Sequence, residues 1–158
     1  MIDVAEDLMF PVIECVAAIC EEALSGADPR PFVAIGGSTV EKPFMCHVGE
    51  LPQNVQVVDP ASSVSSLGGR ARGIYRLEWS VPVTMWADRK DLVATSRAIT
   101  AWWSAIARAV AADRTLGGLV HHAQPYWSSG WTSRNQAGTY LVAVEGGVSV
   151  RQDIDPLC

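Results

Sequence analysis

Glycine, serine and threonine stand together at Gly36-Gly37-Ser38-Thr39, where main-chain amides could cradle a phosphate. Such a loop also needs a lysine just before its Ser or Thr and a helix behind it. Neither is present, so an ordinary turn is the better reading. Metal chemistry would need His, Cys or carboxylates converging at ligand spacing. His121 and His122 are neighbours, and neighbours on a strand point to opposite faces, so they cannot chelate one ion. His47 beside Cys46 has no partner pair at a zinc spacing. The four cysteines, Cys15, Cys20, Cys46 and Cys158, form no CxxC motif, and the first two fall on different faces of a helix. Reduced, buried thiols are expected of them. Serines are frequent, but none sits in a GxSxG elbow. Asp3, Asp88 and Asp91 fall at helix starts, where capping and the helix dipole explain a carboxylate. The expectation is a protein with no catalytic residue, no metal and no cofactor.

Tryptophan is the unusual residue type, with six in the chain. Trp79 belongs to an alternating strand and one of Trp102 and Trp103 to a helix stripe, so the core explains them. Trp127 and Trp131 fall in a polar segment, PYWSSGWTSRNQA at 125–137, where no core pattern holds them. Exposed aromatics of that kind anchor protein interfaces. Arg70 and Arg72, in the Ser- and Gly-rich loop 62–73, join them as candidate interface residues.

These residues must be positioned by a recognisable order of elements. Residues 3–24 repeat apolar side chains at helical spacing, with Pro11 starting or kinking the helix near Met9. Ser25-Gly26 stops it and 27–31 is a rigid linker. A short apolar strand is expected at 32–35, and further short strands at 45–48 and 55–58 within a weakly patterned region spanning 38–72. From Tyr75 to Met85 apolar and polar residues alternate, the mark of a long strand with one buried face. Pro82 on its other face points to a sheet edge or bulge. Asp88 is placed to cap a helix running to Ala112, with Asp91 in its first turn. Its apolar stripe is Leu92, Ile99, Trp102, Trp103, Ile106 and Val110. Residues 113–118 end it, with Leu116 folding back. Strands follow at 119–124, 139–145 and 148–150, with Gly146-Gly147 as bulge or turn and a frayed tail at 153–158. The fold class is α+β: two layers, a mainly antiparallel sheet with both helices on one face, in one domain covering 1–158.

Composition agrees. The chain has 158 residues, 49% hydrophobic and 18% charged, enough to bury a real core. A formal net charge of −5 argues against a dedicated binder of nucleic-acid backbone, though not against a channel past which DNA slides. The acidic N-terminus lacks the basic start of a secretory signal, and residues 8–24 carry too many charges to span a bilayer. A soluble protein, cytosolic at synthesis, is expected.

Residues 75–150 resemble the tail terminators and allied neck proteins of long-tailed bacteriophages. The strand YRLEWSVPVTMW at 75–86, the helix opening DRKDLVATSRAI at 88–99 and the turn ADRTLGGLV at 112–120 carry the resemblance, and a closing strand pair fits it. It implies a structural virion protein without catalysis. Its subunits would form a homo-hexameric ring that caps the tail tube, stops its polymerisation and joins the head. The partners implied are other copies of the chain, the tail tube protein and a head-completion or stopper protein. DNA would pass without specific binding, and no membrane is involved. Such a protein resides in the virion, and in host cytoplasm during assembly. Two alternatives stand beside this: a head-closure, connector or minor tail protein, and a small-molecule-binding or catalytic α+β domain.

Overall fold

The computed structural model describes residues 7–36, 43–58 and 75–154. Helix α1 (Phe10–Ala23) begins just after Met9, with Pro11 in its first turn, where a missing amide proton costs nothing. Val12, Ile13, Val16 and Cys20 form its buried stripe. Six strands follow the expected order with one helix between them: β1 (Phe32–Ile35), β2 (Phe44–Val48), β3 (Gln53–Val58), β4 (Tyr75–Arg89), α2 (Leu92–Ala112), β5 (His122–Arg134) and β6 (Tyr140–Ile154). They make one sheet in the order β1-β2-β4-β6-β5, with β3 also paired to β4. Among the described strands only β1 and β2 are parallel; every other pairing is antiparallel. Both helices lie on one face, giving the two-layer α+β arrangement.

β4 is the centre of the molecule. Leu77, Trp79, Val81, Val83, Met85 and Ala87 point inward and are buried, and each pairs with an inward residue of β6. Above them lie Ile99, Trp102, Ile106 and Val110 of α2. Alternation at period two met periodicity at 3.6, and the two apolar stripes closed on each other. Leu116, at positive φ, folds back into this core as expected.

Several expectations need correction. The cap of α2 is Asp91, whose carboxylate accepts from the Ala94 amide at 3.1 Å, and not Asp88. Asp88 is still strand, because its amide donates to the Pro43 carbonyl and the residue pairs with Leu141. Pro82 is not at an edge; it lies in the most central strand. Its carbonyl accepts from Gly49, so its proton-less nitrogen also faces the break between β2 and β3, where no ladder bond is required. A side chain at Gly49 would collide with the Pro82 ring, which fixes glycine there. Gly146-Gly147 makes no turn: β6 runs through it, and the bulge at this level belongs to β5, opposite Gly146. A Cβ on Gly147 would strike the Val81 carbonyl and the Tyr126 hydroxyl, so glycine lets three strands pack closely. β6 also continues through Asp153, expected to be frayed, to Ile154. Finally, 125–137 is no loop. Most of it is β5, which starts at His122, not 119, and holds Trp127 and Trp131 within its ladder.

Candidate interaction surface

The face of the sheet opposite the helices carries the residues of interest. Register places Phe32 beside Met45, Met45 beside Trp86, Trp86 beside Ala143, and Ala143 beside Trp131. An apolar row thus crosses five strands from edge to edge. Phe32 and Trp131 at its ends are 46% and 47% exposed, while Met45 within it is buried. Side chains aligned across a sheet in this way support one another through cross-strand contact, and here Met45 and Ala143 are buried while aromatic surface is left exposed at the two ends.

Trp127 and Trp131 belong to opposite faces, although four residues apart on one strand should share a face. The ladder slips between Trp127 and Ser129. This bulge pairs Trp127 with inward-facing Gly146 and Trp131 with outward-facing Ala143. Trp127 meets Trp103 of α2 edge to face at 5.9 Å and is 43% exposed. Trp131 stays on the helix-free face. Arg70 and Arg72 lie outside the described residues, as do most of loop 62–73, residues 37–39 of the glycine motif, and Cys158.

Beside Trp131 the row opens into a cleft of about 570 Å³, walled by Trp86, Trp131, Leu141, Pro43, Thr139 and Asp88. Asp88 projects from the last turn of the pleat in β4. Its Oδ2 accepts from the Asn135 side chain at 2.7 Å, across the β5–β6 connection. Its Oδ1 is buried without a hydrogen-bond partner among the described residues. Among the described residues no Lys or Arg lines the cleft. His47 Nε2, one strand away on the same face, is also buried without a hydrogen-bond partner among the described residues; its ring lies 6.5 Å from Trp86 and 3.9 Å separates it from a Glu50 oxygen.

The remaining candidates are dispersed. His121 precedes β5 and His122 opens it, facing Arg151 across the ladder. Cys46 points into the core beneath α1 while His47 points out. The hydrogen bond to Cys20, and then burial, push the Cys46 thiol well above its usual pKa, and burial raises Cys15 too. Among the described residues no three His, Cys, Asp or Glu are grouped to hold a metal ion. Among them, no helix is long and apolar enough to cross a membrane. A second hollow of about 470 Å³ at the other end of the face is polar, lined by Glu78, Arg151, His122 and Gln124. Glu78 and Arg151 pair there at 3.4 Å.

Sequence reasoning marked Trp131 but missed Trp86 and Asp88, its companions in the cleft. Trp86 was absorbed into the end of a strand and Asp88 into a helix cap. Their relation appears only when β4 is laid beside β6 and β5. The chain matches no known family model, and no curated protein matches it.

Proposed function

We propose that this protein is a structural assembly subunit of the tail-terminator type: it caps a tail tube as a ring and offers the ring's other side to the head. The observation that carries this reading is the apolar row across the helix-free face. A face crossed by Phe32, Trp86 and Trp131, half exposed at both ends, gains by being covered with protein. Element order adds support, since helix, short strands, long strand, long helix and closing hairpin follow the pattern on which the resemblance rests. The protein then works by complementary surface, with no bond made or broken. A ring needs a head-to-tail contact that closes, and a two-layer slab has two different faces to offer.

Omitting the protein during assembly tests the reading. Tails of uncontrolled length that fail to join heads are expected. Tails of normal length would sink the terminator role. Normal tails that still fail to join heads would favour a head-closure or connector protein, as would binding to portal-side proteins and not to purified tube protein.

A further inference from the structure

We infer that the Trp86–Trp131–Asp88 cleft is a receptor for an arginine side chain, and that the arginine is Arg97 on α2 of a second copy. This rests on the ring reading and names the contact within it. The cleft has the chemistry of a guanidinium site. Two indoles line it, and an indole face attracts a planar cation and stacks on it. Asp88 supplies a carboxylate oxygen that is buried yet accepts no hydrogen bond from a described residue. A buried acceptor in that state is costly until a donor reaches it, and an N–H of a guanidinium meets the need with charge assistance. A quaternary ammonium could fill the aromatic part but would leave Oδ1 without a donor. The other Asp88 oxygen is fixed by Asn135, so the free one is held in place rather than swinging to solvent.

The same chain carries the complementary surface on its opposite side. The exposed stripe of α2 runs Val93, Arg97, Ala101 at four-residue spacing, with Val93 61% exposed. The Arg97 guanidinium makes no ion pair and no hydrogen bond with a described residue. Its helix neighbours Ala94, Ala98 and Ala101 are small, and the open groove it borders is also lined by Asp28, Arg89 and Asp91, neither carboxylate being ion-paired to it; Val93 can lie on the apolar row. The molecule already shows a guanidinium over an aromatic ring in Arg89, 5.6 Å from the centre of Phe44. Because cleft and stripe lie on opposite faces of the slab, two copies cannot satisfy both sites by a two-fold pairing. Each contact leaves one cleft and one Arg97 for the next copy, which is the heterologous geometry that closes into rings.

Mass photometry or sedimentation of the full chain over a range of concentrations tests this. The unaltered chain should assemble. Arg97→Glu and Asp88→Asn should each raise the concentration needed for half-assembly by tenfold or more, an order-of-magnitude expectation for a lost buried charge contact. Arg108→Glu changes net charge equally but sits eleven residues, or about 16 Å, further along α2, and should leave assembly unaltered. An equimolar mixture of Arg97→Glu with Asp88→Asn/Trp131→Ala should give a dimer and nothing larger, since only one functional contact can form. Arg97 is on an exposed helix face, so its substitution reports on contact even if the cleft variant folds poorly. Assembly undiminished by Arg97→Glu, equal loss from Arg108→Glu, or large oligomers in the mixture would overturn the inference while leaving a ring intact. A chain that stays monomeric throughout would also overturn it, and tail-length assays would then judge the terminator reading separately.

Discussion

Gln152 shows how much a single buried amide can hold. Its Oε1 accepts from the Trp79 indole at 2.8 Å, and its Nε2 donates to the Leu8 carbonyl at 2.7 Å, tying the start of α1 to the inner face of the sheet. Gln152→Ala should lower stability by about 1–3 kcal/mol, because it leaves the buried Trp79 indole N–H without an acceptor and the half-buried Leu8 carbonyl without its donor. Urea unfolding checks the value, and Trp79→Phe should shrink the loss by removing the indole donor. Cys46 gives a second test. Its hydrogen bond with Cys20 and its burial keep the proton on in the folded chain, whereas an unfolded thiol releases it near pH ~8.5. The folded state binds more protons above that pH, so stability is full below it and declines as pH rises further. Urea midpoints from pH 7 to 10 should show the decline, and Cys46→Ala should flatten it. At this scale the sequence was partly legible. Aspartates at 88 and 91 both look like helix caps, and only the ladder bond from Asp88 to Pro43 settles which one is. Asp88 in the cleft was not legible at all, because its surroundings come from strands distant in the chain.

Among elements, β4 and α2 were the clearest in advance, since alternation and helical spacing are both strong and long there. Leu77→Ala and Ile99→Ala, at buried positions on their facing stripes, should each cost about 2–5 kcal/mol in a denaturation experiment. β5 was the least legible. Pro125, Ser128, Ser129 and Gly130 are turn-forming types, and its outer half is exposed on both faces, so no alternation survives to be read. Its bulge also defeats counting, which is why Trp127 and Trp131 could not be assigned to different faces beforehand. Gly147 is the element-scale counterpart of a packing residue. Gly147→Ala should destabilise by about 1–3 kcal/mol, with a lowered melting temperature, because the new methyl meets the backbone of β4.

For the whole molecule, stability is distributed from the centre outward. β4 and β6 are paired along fifteen residues each, whereas β3 is exposed at every position and β5 is exposed beyond Trp127. Amide exchange in the isolated chain should therefore be slowest in β4 and β6 and fastest, among strands, in β3 and residues 129–134. On assembly the outer part of β5 should gain protection if the face bearing Trp131 is covered. Equal exchange in free and assembled states would count against coverage there. The layer arrangement was readable from element order, but the apolar row was not, since its members lie on five strands and meet only through register.

The length of β4 has a mechanical consequence. Fifteen extended residues reach about 50 Å, and this strand is bonded to β6 on one side and to β2 and β3, end to end, on the other. Hydrogen bonds in such ladders lie across the strands. A pull along β4 therefore loads many of them in shear at once, while a pull across the sheet at β1 or β5 would break them singly, as in peeling. The molecule is stiff in one direction and compliant in another. In single-molecule extension, tension applied between Arg89 of β4 and Asp153 of β6, at opposite ends of their shared ladder, should require far more force to rupture the fold than tension applied across β5.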